Sequence, residues 1–196
     1  RVLARAILWL AGIPFVTRGS TGPARPVVIA SNHTSYFDAL VLIAALDPGS
    51  YSFVAKREFL ANPLMRILLG GFGTLFVERF DVAKSAEQAG EIASAAKSGA
   101  SLIVFPEGTL RRAPGLMAFR TGAFQAAAQA GVPVVPVALR GVRSVLRDGT
   151  WYLRRAPVTV TIGAPIAPEG SDWAAAVKLR DAVRAQILQA CGEPDV

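Results

Sequence analysis

The chain of 196 residues has one histidine, one cysteine and two methionines. With Cys191 alone, no intramolecular disulfide and no metal-thiolate cluster can form, and the chain is compatible with a reducing compartment. With His33 alone, a His-x-x-x-His metal pair is excluded, and His33 is the sole imidazole for general base chemistry near neutral pH. No uninterrupted apolar run reaches the roughly 18 residues of a membrane-span candidate, although 52% of the chain is hydrophobic. No serine lies in a Gly-x-Ser-x-Gly elbow, Gly70-Gly71-Phe72-Gly73 lacks the spacing of a dinucleotide loop, and neither Lys84-Ser85 nor Lys97-Ser98 follows the glycine of a Walker loop.

Early carboxylates are also scarce. Arg1, Arg5, Arg18 and Arg25 precede the first acidic residue, Asp38, while Arg140, Arg143, Arg147, Arg154 and Arg155 surround only Asp148. The net charge of +7 therefore sits in clusters that suit phospholipid headgroups, phosphorylated substrates or nucleic acid. Nucleic acid is set aside, because the arginine-rich segments carry no recognised motif and no interleaved aromatic platform. Ala6 to Val16, bracketed by Arg5 and Arg18, suits an amphipathic membrane-interface helix within residues 1–20, with a core helix as the alternative. Beginning at Arg1 with no clear small-x-small cleavage site before Arg18, the sequence reads as a piece of a longer chain. No linker divides it, so residues 1–196 are expected to form one domain.

Apolar, β-rich runs recur at Val27–Ser31, Ser52–Ala55, Thr74–Val77, Ser101–Phe105, Val132–Leu139 and Val158–Ile162. Helical patterns separate them at about Tyr36–Leu46, Pro63–Leu69, Val82–Ser98, Gly122–Ala130 and Asp172–Ala190. The alternation predicts an α/β fold with a central mixed, mostly parallel sheet flanked by helices. Asp81 and Lys97-x-Gly99, Thr121 and Gly131, and Ser171-Asp172 supply helix-terminal signals.

Three constellations carry chemistry. Asn32 and His33 leave a strand into a strand-to-helix loop, where open α/β sheets place ligands. If Thr34 or Ser35 caps the next helix, Asp38 falls in its first turn and reaches back to orient the imidazole, which suits direct removal of a substrate hydroxyl proton, a hydrogen-bonded loop histidine without catalytic role being the alternative. Phe105-Pro106-Glu107-Gly108-Thr109-Leu110-Arg111-Arg112 turns at a strand end and opens amides beside arginines for an oxyanion or phosphate, an ordinary turn with Glu107 paired to an arginine being the alternative. Gly73 to Arg79 is a strand delivering Arg79, whose forked guanidinium matches a phosphate, an ordinary surface arginine after a strand being the alternative.

Together, Asn32-His33-x-Ser35-x-x-Asp38, Gly73-x-x-Phe76-Val77-x-Arg79, Phe105-Pro106-Glu107-Gly108-Thr109 and Val132-Pro133-Val134-Val135-Pro136-Val137 resemble, in order, the four blocks of the glycerolipid acyltransferase family. The resemblance runs from about residue 27 to 140. It implies an O-acyltransferase of phospholipid biosynthesis, typified by 1-acylglycerol-3-phosphate acyltransferase, at the cytoplasmic face of the cell membrane as a peripheral protein. It further implies that His33, assisted by Asp38, deprotonates the hydroxyl of a lysophospholipid acceptor, that the donor is acyl-CoA or acyl carrier protein, and that no metal or resident cofactor takes part. Arg79, Glu107, Gly108, Thr109, Arg111 and Arg120 are the implied substrate-binding residues, with Lys56 matching a common family lysine. Leu110 stands where an arginine often follows the Glu-Gly-Thr block, and Arg120 stands where lysine is common, so lysophosphatidate is the favoured acceptor with glycerol-3-phosphate, another lysophospholipid and an amino-acid lipid as alternatives. A non-catalytic basic membrane-binding module is the competing reading. The candidates for an apolar acyl groove are Leu64, Ile67, Leu68, Leu69 and Phe72 with Ile7, Leu8, Trp9 and Leu10, core packing being the expected fate of most.

Overall fold

The computed structural model describes residues 1–22, 26–49, 51–56, 75–77, 85–146, 150 and 152–196, with backbone alone at 55–56, 75–77, 85–89 and 91. The strands are β1 (Phe15–Arg18), β2 (Val28–Ser31), β3 (Tyr51–Lys56), β4 (Leu75–Val77), β5 (Ser101–Val104), β6 (Val134–Arg140) and β7 (Val158–Ile162). They form one sheet in the order β1-β7-β6-β2-β5-β3-β4. Every pair is parallel except β6 with β7, so β7 and β1 run against the other strands. This is the expected mixed, mostly parallel sheet. β2, β5 and most of β6 are buried on both faces, which is why their sequences read as continuous apolar runs.

The helices are α1 (Val2–Leu10), α2 (Asp38–Ala45), α3 (Ser85–Lys97), α4 (Gly122–Ala130), α5 (Val142–Val145) and α6 (Trp173–Cys191). Alternation along the strands sorts side chains onto two faces. Val28, Ala30, Leu102, Val104, Val134 and Ala138 pack with α3, α4 and α6, around Phe124, Leu179 and Val183. Ile29, Ile103, Val135, Val137, Leu139 and Val160 pack with α1, α2 and α5, around Leu8, Leu42 and Val145. Among the described residues no helix is long and apolar enough to cross a membrane.

The amino-terminal segment differs from expectation. The helix stops at Leu10, because Gly12 takes a left-handed φ of 63° and its N–H bonds Trp9 O while Ile13 N–H bonds Leu8 O. That double turn ends a helix, and Pro14 cannot continue one. The chain then enters β1, so Val16 belongs to a strand at the sheet edge. α1 buries Ala4 and Leu8 and exposes Val2, Leu3, Trp9 and Leu10. Asp172 caps α6 as expected, its Oδ1 accepting from Ala175 N–H at 2.8 Å. Thr121 does not cap α4 with its side chain; its hydroxyl accepts from Arg180 instead. Asp81 and the helix expected at Pro63–Leu69 lie outside the described residues.

Candidate active site

β2 lies between β5 and β6, and the loops leaving all three emerge at the same carboxyl edge. Beyond Ser31 the β2 backbone departs, and the fully buried Asn32 side chain replaces it as partner of β6. Its Nδ2 donates to Leu139 O at 2.9 Å, and its Oδ1 accepts Leu139 N–H at 2.7 Å. Both backbone groups of Leu139 are thus satisfied by one carboxamide, which anchors the first residue of the loop.

The next residue carries the imidazole. His33 Nδ1 lies 2.9 Å from Asp38 Oδ2, and Asp38 is fully buried. The same oxygen accepts the N–H groups of Thr34 and Ser35 at 2.6 and 2.8 Å, and Oδ1 accepts the Thr34 hydroxyl at 3.2 Å. The helix N-cap is Phe37, without a side-chain cap; Asp38 itself reaches back to the loop amides, and Ser35 Oγ accepts Phe37 N–H at 3.1 Å while donating to Leu146 O at 2.9 Å. A carboxylate oxygen that already accepts two N–H groups suits the tautomer in which Nδ1 donates and Nε2 keeps its lone pair. The His33 ring stacks on Phe105, centroids 4.2 Å apart, and its side chain is 20% exposed, enough to meet a substrate at its edge.

Glu107 approaches from the loop after β5. Its Oε1 accepts the His33 N–H at 2.7 Å and its Oε2 accepts the Met117 N–H at 3.1 Å. Burial pushes its pKa above the ordinary carboxylate value, and the two amide bonds pull it partway back. The carboxylate thus holds backbone on both oxygens, and among the described residues no arginine is hydrogen-bonded to it. Gly108 follows at φ 71°, closing a turn onto Phe105 O; a Cβ there would lie 2.5 Å from Arg120 Nε. Arg120 N–H bonds Pro106 O at 2.9 Å, so the loop's two ends meet. Gly108 and Arg120 are therefore brought together beside the His33 loop. Thr109 and Arg111 are exposed at the loop's outer bend. Arg79 and the Lys56 side chain lie outside the described residues.

Some organising residues carry no local sequence signal. Arg143 donates from Nη1 to the carbonyls of Arg111 and Arg112 at 2.7 and 3.1 Å, and from Nε to Glu193 at 2.9 Å. Glu193 in turn accepts Gly115 N–H, and Arg184 holds the Leu116 and Met117 carbonyls while pairing with Asp195. The segment after α6 thereby braces the Glu107 loop. A cavity of about 660 Å³ also opens between α1, α2 and β3, with Val2, Ile43, Leu46, Phe53 and Ile103 in its wall. Phe53 stacks toward Phe105 at 6.4 Å, so one aromatic ring separates the cavity wall from His33. Of the expected acyl-groove residues, Leu8 is in the core, Trp9 and Leu10 are exposed, and Leu64 to Phe72 lie outside the described residues. Among the described residues no cluster of histidine, cysteine and carboxylate could hold a metal ion.

An α/β sheet that presents a carboxylate-oriented imidazole at the carboxyl edge of its central strand defines the class: a domain organised around a His–Asp pair. The family model described as Acyltransferase matches residues 3–140, and the chain belongs to that family. It is similar to a 1-acyl-sn-glycerol-3-phosphate acyltransferase of Cocos nucifera, 31% identical over 180 residues, covering 88% of this chain and 55% of the relative. The protein of that name from Limnanthes douglasii is 31% identical over 88% of this chain and 60% of its own length. The chain thus spans little more than half of these relatives. The human 1-acyl-sn-glycerol-3-phosphate acyltransferase alpha is 29% identical over 96% of this chain and 67% of its own length. The crystal structure of the 1-acyl-sn-glycerophosphate (LPA) acyltransferase PlsC from Thermotoga maritima shares the fold, with a TM-score of 0.80 and 23% identity over 96% of this chain and 75% of that one.

Proposed function

We propose that this protein transfers a fatty acyl group from an acyl thioester, carried by coenzyme A or acyl carrier protein, to the hydroxyl of a lysophospholipid, with 1-acylglycerol-3-phosphate as acceptor. The observation that carries the reading is the His33–Asp38 pair at 2.9 Å within the matched family. In this mechanism Nε2 takes the acceptor hydroxyl proton while its oxygen attacks the thioester carbonyl carbon. The carbon–sulfur bond then breaks, and the imidazolium returns its proton to the thiolate. Asp38 holds the tautomer and offsets the transient positive charge. No acyl-enzyme forms. The names of the relatives support the acceptor, and the chemistry of Arg120 and the Gly108–Thr109 turn suits its phosphate. The cavity one ring from His33 suits the acyl chain.

The exposed Val2, Leu3, Trp9 and Leu10 of α1, with Arg1 and Arg5 alongside, support docking at an anionic membrane surface as a peripheral protein. The test is product identification by mass spectrometry after acyl-CoA or acyl carrier protein is offered with lysophosphatidate, glycerol-3-phosphate, other lysolipids and an amino-acid lipid. His33→Ala is expected to abolish transfer in a protein that still folds. Turnover retained by that variant would overturn the mechanism, and vesicle binding without thioester consumption would favour a non-catalytic module.

A further inference from the structure

The edge of the sheet farthest from β4 carries a second polar site. β7 alternates buried Val158, Val160 and Ile162 with half-exposed Thr159 and Thr161. Its register sets Thr161 beside Arg18 of β1, and Thr159 beside Arg140 of β6. Side chains in register share a face, so the two arginines flank the two hydroxyls on one face. Two strand spacings and a two-residue offset put the arginine α-carbons about 12 Å apart, a gap that two long side chains close from opposite sides. Gln189 and Ala190 at the end of α6 join them in the wall of a cleft of about 380 Å³.

Among the described residues no carboxylate lines this cleft. The neighbouring acids are committed elsewhere: Glu193 to Arg143, Asp195 to Arg184 and Asp181 to Arg180. Among the described residues neither Arg18 nor Arg140 has an ion pair. The Arg140 side chain passes beside Gly192, where a Cβ would lie 3.0 Å from its Nε. The cleft is on the face of Ala138, whereas Phe105, which carries the His33 ring, packs with the opposite cluster.

We propose that this cleft is a binding site for a phosphoryl group, with Arg18 and Arg140 as charged donors and the Thr159 and Thr161 hydroxyls and the Gln189 amide as neutral ones. Forked guanidinium donors match phosphoryl oxygens two at a time, and an anion between them relieves their mutual repulsion. The same chemistry is offered by the nucleotide end of a coenzyme donor and by an anionic lipid headgroup. The site stands on the cleft alone and does not depend on the acyl-transfer reading.

Isothermal titration calorimetry tests it on the whole chain, with coenzyme A, water-soluble dihexanoyl phosphatidate and inorganic pyrophosphate as probes. Arg18→Gln, Arg140→Gln and the double variant are compared with wild type, with Lys178→Gln, whose charge pairs with Glu169 on the surface, as control. Loss of one charged contact is expected to weaken binding about tenfold, with Lys178→Gln unchanged and affinity falling as salt rises. Tightest binding of coenzyme A assigns the nucleotide, tightest binding of phosphatidate assigns the headgroup, and equal binding of all three assigns the bare phosphoryl group. Arg18→Lys with Arg140→Lys, keeping charge but losing the fork, is expected to fall between. No arginine-dependent binding of any probe, or a folded double variant within twofold of wild type, overturns the proposal.

Discussion

Glu107 Oε1 accepts the backbone N–H of His33 at 2.7 Å, so the loop after β5 sets the height of the imidazole above the sheet. The second oxygen, on Met117 N–H, ties the same carboxyl to the far side of that loop. Two backbone donors ask for two acceptor oxygens, which among neutral side chains of this shape glutamine does not supply.

Glu107→Gln turns an amide NH₂ toward one of these N–H groups and is expected to cost about 1–3 kcal/mol of stability. Its pH dependence follows from the raised carboxyl pKa. Below the ordinary value of 4.5 the group is protonated folded and unfolded alike. As pH rises from there, the unfolded chain ionises first, so the contribution of Glu107 to stability declines until the folded carboxyl has ionised too. Urea melts from pH 4 to 8 should therefore show the wild-type advantage over Glu107→Gln shrinking upward through that window and then levelling. An advantage independent of pH would contradict the assignment.

Asn32→Ala leaves both Leu139 backbone groups without their carboxamide partner at a buried position. The expected loss is about 2–4 kcal/mol, measured by chemical denaturation. Asn32→Asp tests the geometry separately: a carboxylate keeps the acceptor but loses the donor to Leu139 O, and it should destabilise as well. A neutral result for both would mean that β6 is held there without Asn32.

Ile43→Trp fills part of the cavity that borders Phe53. On the proposed function, the preferred acyl chain should shorten, read as a shift in kcat/KM across a series of acyl donors, with the shortest donors unaffected. An unchanged chain-length profile would place the acyl chain elsewhere.

Trp9→Glu with Leu10→Glu alters side chains that are 78% and 74% exposed. Fold stability should move by less than about 0.5 kcal/mol, whereas flotation with anionic vesicles should drop sharply. Flotation equal to wild type would remove α1 from the membrane contact.

What the sequence made legible was local. The five-residue step from His33 to Asp38 spans one turn into a helix, and both the strand before it and the apolar face after it are written in adjacent residues. The turn at Phe105 to Gly108 was equally visible, as proline and glycine ending an apolar run. The partner of Glu107 was not: the N–H that its Oε1 accepts lies 74 residues away in the chain. The clamp between Asn32 and Leu139 spans 107 residues, and nothing near either position announces it. β1 was missed because Phe15 to Arg18 is short and acquires strand character only by pairing with β7, far along the chain. Arg143 read as one member of a basic cluster, yet its donors are used on the carbonyls of Arg111 and Arg112.

The double turn at Gly12 has a mechanical meaning. Residues 11–14 alone join α1 to β1, Leu8 is packed in the core, and Arg5 Nε donates to Ala44 O on α2. The helix is packed into the core before this short connection, and β1 is paired with β7 after it. A surface that gripped Trp9 and Leu10 would therefore act on the sheet through this short connection, and the packing of α1 against α2 would set the angle at which the His33 edge faced it.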